Sequence, residues 1–139
     1  MEQMTPRDAA LLSPLGLAYI GDGIYELLAR RHILARGNMP VQKLHRATVA
    51  LVRASAQSQA VARLEPLWTE EETAIYKRGR NASSHLPKNA DAIEYRRATG
   101  LEALFGYLYL TGREARLEEL FAAICGAETE ERGKSNGEG

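Results

Sequence analysis

Between Ala98 and Gly112 the chain reads ATGLEALFGYLYLTG, and Glu102 is the only acid, base or histidine in that stretch. From Ala9 to Tyr25 it reads AALLSPLGLAYIGDGIY, where Asp22 stands equally alone. Both stretches have helical apolar spacing, which places them in a core. A lone ionised carboxylate on an apolar helix is expensive to bury unless something pairs with it. Neither acid has a cationic neighbour one helical turn away: Leu15, Ala18, Tyr25 and Glu26 flank Asp22, and Ala98, Thr99, Phe105 and Gly106 flank Glu102. Two such acids on two core helices can satisfy each other by sharing a divalent cation. Oxygen ligands suit Mg²⁺, which keeps several waters and takes one or two protein carboxylates plus phosphate oxygens. The alternative is that each acid caps a helix end or meets an arginine from another helix. Gly21 and Gly23 flank Asp22, while Gly100 and Gly106 lie close to Glu102. A glycine inside a helix costs about 1 kcal/mol relative to alanine; its return is close approach of two helices or of a phosphate backbone.

The helical period extends through nearly the whole chain, and no period-two run interrupts it, so the expected fold is all-α, a compact bundle of about seven helices. Pro14 opens a first long helix, to about Arg36, stopped by Gly37-Asn38. Pro40 opens a second, to about Ala54, and Ser55 caps a third that ends before Pro66. Thr69 to Glu72 reads as a capping box for a fourth, to about Arg78. Residues Gly79 to Asn89 form a polar, basic loop, a short helix starts at Asp91, and a long apolar one runs from about Ala98 to Leu110. The last helix, Glu114 to Cys125, ends at Gly126. Residues 1–126 make one domain, and 127–139 a polar tail expected to be disordered. The one cysteine, Cys125, cannot form an internal bridge and reads as a small buried hydrophobe. His32, His45 and His85 show no metal-ligand spacing. With no signal peptide and no apolar run near the roughly 20 residues that span a membrane, a cytoplasmic protein is expected.

Lysine plus arginine and aspartate plus glutamate both number 18, a formal charge of zero. The distribution is uneven. Lys77, Arg78, Arg80, Lys88, Arg96 and Arg97 face only Asp91 and Glu94 in their segment, a local balance of +4. From Ala127 to Gly139 four glutamates outnumber Arg132 and Lys134, a balance of −2. A neutral total therefore conceals a basic face.

These residues resemble a known family. LAYIGDGIY, Leu17 to Tyr25, is similar to the signature helix of ribonuclease III, and TGLEALFGYLYL, Thr99 to Leu110, to its second catalytic helix. GRNA, Gly79 to Ala82, followed by YRRATGLEAL, Tyr95 to Leu104, resembles the short stand-alone branch called Mini-ribonuclease III. The likeness covers about Ser13 to Gly126. It implies a metal-dependent endoribonuclease that cuts double-stranded RNA to 5′-phosphate and 3′-hydroxyl ends. Asp22 and Glu102 are then catalytic and hold Mg²⁺, with Mn²⁺ as a substitute. It also implies a homodimer, with an apolar interface shared by the two catalytic helices, and maturation of large-subunit (23S) ribosomal RNA as the task. The pattern is incomplete: two further acids of the larger family members fall on Ala18 and Thr99 here. The double-stranded RNA-binding domain of those members has no room in this chain.

Without such a domain, the RNA contacts are expected from Lys77, Arg78, Arg80, Asn81, Ser84, His85, Lys88, Arg96 and Arg97, with Ser83 beside them. Cationic heads and short donors suit duplex RNA, which is read through shape, phosphates and 2′-hydroxyls. A second basic face joins Lys43, His45, Arg46 and Arg53, with Gln57 and Gln59 nearby. The rival readings are a non-catalytic RNA-binding or ribosome-assembly module on the same scaffold, and a helical protein-interaction domain.

Overall fold

A computed structural model describes residues 2–82 and 85–136, with side chains through residue 126. Among the described residues there are seven α-helices and no strand: α1 (Pro6–Ala10), α2 (Pro14–Leu34), α3 (Val41–Val52), α4 (Ala54–Leu64), α5 (Glu70–Ala82), α6 (Ala92–Leu110) and α7 (Glu114–Asn136). A single 3₁₀ turn, Glu65–Leu67, follows α4. The all-α bundle expected from the sequence is the fold observed.

The starts follow side-chain capping. Ser13 accepts from the Gly16 amide at 2.9 Å ahead of Pro14, and Asp91 accepts from the Glu94 amide at 2.9 Å. The capping box is reciprocal: the Glu72 amide donates to Thr69 Oγ1 at 3.1 Å, and the Thr69 amide to Glu72 Oε1 at 2.9 Å. Glu72 also accepts from Arg116 of α7 at 2.9 and 2.8 Å, and Arg116 reaches the Leu67 carbonyl at 2.7 Å. One buried carboxylate thereby fixes the start of α5 and docks α7 beside it. Burial pushes the Glu72 carboxyl up, but the hydrogen bonds from Arg116 and Thr69 outweigh it and hold it below its ordinary value.

Four boundaries differ from the sequence reading. Helix α1, capped by Thr5, precedes the expected first helix. Helix α5 continues through Gly79 to Ala82, so the first four residues of the expected loop are helical. The short helix at Asp91 and the apolar helix after it are one continuous helix, α6. Helix α7 passes Gly126, the expected stop, and reaches Asn136; one helical glycine costs only about 1 kcal/mol, which a run of good helix formers offsets. Ser83, Ser84 and the side chains of the expected polar tail lie outside the described residues.

Helix α6 is the centre of the bundle, packed against α2, α4 and α5. Every residue from Ala98 to Leu108 is buried except Glu102. Rings lock it further, with Tyr25 of α2 lying 5.1 Å from Phe105 and 5.5 Å from Phe121 of α7 between centroids. The contact with α2 is made by the backbones themselves. A Cβ on Gly21 would stand 1.6 Å from the Glu102 carbonyl oxygen, and one on Gly106 would stand 2.0 Å from the Leu17 carbonyl oxygen. Gly100 meets α5 in the same way, with the Tyr76 ring 2.7 Å from any Cβ there. Gly23 differs: nothing lies within 4 Å of its Cβ position, so it serves no helix contact.

Gly21→Ala must push the two helices apart. It is expected to destabilise the fold by about 3 kcal/mol or more, the upper range for overpacking. Gly23→Ala has open space and is expected to be neutral or stabilising by up to about 1 kcal/mol. Urea denaturation of the two variants measures the contrast, and equal effects would show that the helices do not meet through Gly21.

Candidate active site

Helix α2 presents Asp22 and helix α6 presents Glu102. The Gly21 contact sets their meeting, because Gly21 precedes Asp22 and rests on the carbonyl of Glu102 itself. The two carboxyl groups come within hydrogen-bonding reach of each other. Their surroundings are unequal. Asp22 is exposed, so the expectation that it is buried without a partner fails: it lies on the solvent side of α2. Glu102 is half-buried at the one opening in the buried stretch of α6. Burial pushes its carboxyl up to about 8, reinforced by the hydrogen bond to Asp22 and its charge, and opposed by a hydrogen bond from Gln57.

Such a pair repels itself when both members are ionised, and a shared divalent cation relieves the repulsion. The donor chemistry fits a hard cation with most of its coordination shell open. Among the described residues no cluster of three or more His, Cys, Asp or Glu side chains could hold a metal. Ala18 and Thr99, where the larger family pattern has acids, are buried at 8 % and 7 % exposure. The Thr99 hydroxyl donates inward to the Tyr95 carbonyl at 3.0 Å. A cation held here would take two carboxylates from this chain, with the rest of its shell left to water and substrate oxygens.

The basic residues expected to bind RNA are spread over three elements. Lys77, Arg78, Arg80 and Asn81 lie on the last turns of α5, His85 and Lys88 on the link that follows, and Arg96 and Arg97 on the first turns of α6. All of these except the half-buried Arg80 are exposed. Two of them also hold the fold. Arg78 donates to the Ala10 carbonyl at 2.9 Å and pins the turn between α1 and α2, and Arg97 reaches the Ser58 hydroxyl of α4 at 3.4 Å. Arg80 bonds Asn81 at 3.2 Å, with its guanidinium 5.7 Å from the Tyr76 ring centre. Ser84 lies outside the described residues. On the second basic face Lys43, His45, Arg46 and Arg53 are exposed, but Gln57 is not on that face: it is 3 % exposed and turned toward α6. The α4 helix start and the helical spacing from Ala54 were the only sequence signals that could have placed it inward.

A profile of the Ribonuclease III domain matches residues 15–113, a span that contains both acids. The chain belongs to the ribonuclease III family. It is an endoribonuclease. Curated relatives carry the name Mini-ribonuclease 3. That of Symbiobacterium thermophilum is 47 % identical over 82 % of this chain and 88 % of its own. That of Enterococcus faecalis is 50 % identical over 82 % and 89 %, and that of Clostridium tetani 40 % identical over 99 % and 91 %. A crystal structure of a protein from Fusobacterium nucleatum superposes with a TM-score of 0.78 at 30 % identity, covering 85 % of this chain and 95 % of that one. The ribonuclease III assignment and the carboxylate pair thus rest on separate observations.

The shift at Glu102 has a sign that can be tested without RNA. Its folded value is raised, so its contribution to stability is fully present below the ordinary value of 4.5 and is lost as pH rises through about 8. In chelator, the native chain should therefore lose stability across that interval relative to Glu102→Gln, which should be the more stable protein at alkaline pH. Denaturant midpoints that stay parallel for the two proteins across this pH range would refute the burial assigned to Glu102.

Proposed function

We propose that this endoribonuclease hydrolyses double-stranded RNA with Mg²⁺, or Mn²⁺ in its place, held by Asp22 and Glu102. The observation that carries this reading is the approach of two carboxyls from separate helices, fixed by backbone contact at Gly21. When bound, the cation supplies a nucleophilic water at neutral pH and positive charge for the developing phosphate oxyanions. The chain's own part is geometric. Asp22 faces solvent, where a duplex can approach, and Glu102 is held by a buried helix that cannot yield. Water attacks phosphorus and the P–O3′ bond breaks, so the 3′-oxygen leaves, takes up a proton as a 3′-hydroxyl, and the phosphate stays on the 5′ end. Lys77, Arg80, Asn81, His85, Lys88, Arg96 and Arg97, and Ser84 next to them, offer phosphate and 2′-hydroxyl contacts on the approach to α6. The physiological substrate in this reading is precursor large-subunit ribosomal RNA in the cytoplasm, as the family resemblance implies.

Cutting both strands takes two centres, and a symmetric homodimer supplies them. The sequence reading gave both catalytic helices a share of that interface, on the strength of their glycines. Gly21, Gly100 and Gly106 are spent inside the subunit, and the apolar centre of α6 is buried there. One stretch of exposed apolar surface, among others, lies along the turn into α2 and its outer face. Leu11 and Tyr19 are 77 % and 81 % exposed, with Leu12 and Leu15 beside them. An apolar patch of this kind marks an interaction surface, and Tyr19 lies one turn from Asp22.

Asp22→Asn and Glu102→Gln are each expected to lower cleavage of a long RNA duplex in Mg²⁺ more than about a hundredfold, at least the loss caused by disturbing a ligand's supporting partners. Duplex binding in chelator should persist. Near-normal turnover by either variant would remove that residue from the centre.

For the dimer, light scattering of the native chain at micromolar concentration should give twice the chain mass, and Tyr19→Glu should give a single chain mass. A native chain that is monomeric while still making double-strand cuts would refute the two-copy arrangement.

A further inference from the structure

From residue 27 to residue 64 the chain contains no aspartate or glutamate, yet it carries seven lysines and arginines. This span covers the second half of α2 and all of α3 and α4. It is a larger concentration of one sign than the segment from Lys77 to Arg97, where Asp91 and Glu94 intervene. The seven are not used alike. Arg30 is paired with Glu26 at 3.3 Å, and Arg31 with Glu118 of α7 at 3.7 Å. Lys43, Arg46 and Arg53 are exposed, and none of them makes a hydrogen bond or ion pair with a described residue.

Helix α3 carries these three on the outside of the bundle. Lys43 and Arg46 lie one turn apart on one side of the helix, and Arg53 follows its last residue, two turns further on. The rise from Lys43 to Arg53 is about 15 Å. Thr48 is the one buried residue of α3, so the helix stands on the surface. Three cations in a row along a helix do not converge on a small anion. They match a chain of phosphates, and a guanidinium meets a phosphate with two parallel hydrogen bonds.

The row also leads toward the carboxylates. Arg53 caps the start of α4, and Ser58, five residues on, is about 7.5 Å further along that helix. The Ser58 hydroxyl accepts from Arg97 of α6 at 3.4 Å. Glu102 lies five residues beyond Arg97, again about 7.5 Å along its own helix. The basic start of α6 and the basic row of α3 therefore adjoin through α4. A nucleic acid seated at the carboxylates uses that continuity, whereas an acidic protein has no need of it.

On the reading of duplex RNA as the substrate, we propose that α3 is a second phosphate-binding face, on which Lys43, Arg46 and Arg53 hold the RNA backbone away from the point of cleavage. Contacts of this kind fix register and orientation and read no base.

The test uses the full chain in chelator, a long RNA duplex as the probe, and fluorescence anisotropy across a salt series. Lys43→Gln, Arg46→Gln and Arg53→Gln are made singly and together. The positions are exposed and glutamine is a good helix former, so the fold should persist, as circular dichroism will show. Each cation that contacts a phosphate contributes about one to the slope of log affinity against log salt. Each single change should therefore lower that slope by about one. The triple change should lower it by about three and weaken binding at least tenfold at low salt. Arg30→Gln with Arg31→Gln, which removes two cations already paired with glutamates, should leave the slope as it is. Native affinity and slope in the triple variant overturn the α3 face while leaving duplex binding intact. An equal loss from the Arg30 and Arg31 changes also overturns it, since net charge and no particular face would then set the affinity. A native chain that binds no duplex RNA overturns the duplex reading, and the α3 face with it.

Discussion

Two helix backbones touch in this protein where side chains usually intervene. Gly21 rests on the carbonyl of Glu102, and Gly106 rests on the carbonyl of Leu17. Everything at the site inherits its position from that contact. A helix pair separated by ordinary side chains stands about 8–10 Å apart between axes, and two short acids would then face each other across a gap. With the side chains removed, the acid next to one glycine meets the acid at the other helix's contact point. The glycines weaken each helix in isolation, and the burial they permit around α6 offsets that loss.

The electrostatics follow from the same geometry. Glu102 sits at the boundary between a buried helix and solvent, with Asp22 close enough for its charge to act on it. Burial and the neighbouring acid both disfavour its charge, while the Gln57 amide favours it. A site in this condition is poised to gain from positive charge, whereas an acid paired with arginine is already satisfied. Glu72 makes the contrast plain. It is as buried as any acid here, yet Arg116 and the Thr69 amide hold it ionised, and its function is to fasten α5 to α7.

Much of this was legible in the sequence, and the reasons are specific. Asp22 and Glu102 stood out because each interrupts an apolar stretch, and because the ordered motifs around them are those of one family. The capping box at Thr69 and the bundle class were readable because both depend on local spacing. What stayed hidden depends on partners far along the chain. Gln57 read as part of an exposed face, although it is buried and its amide donates to the Val52 carbonyl at the end of α3. Arg78 read as a phosphate ligand, and its sequence position does not report that its guanidinium also pins the turn between α1 and α2. Gly23 looked like Gly21, and only the placement of α6 separates the one in contact from the one in open space. The extent of α5 past Gly79 was missed because a glycine there reads as a stop, whereas it is the point where α5 meets α6.

The distance between Asp22 and Glu102 along the chain has a consequence for how such an enzyme is made. Helix α2 leaves the ribosome early, and α6 emerges only when most of the chain has been synthesised. Before then, Asp22 is one exposed acid on a helix whose glycine groove is empty. The seat that brings the two acids together, Gly21 against the Glu102 carbonyl, therefore cannot exist until α6 has packed on α2, so the pair is a product of the finished bundle and of neither helix alone.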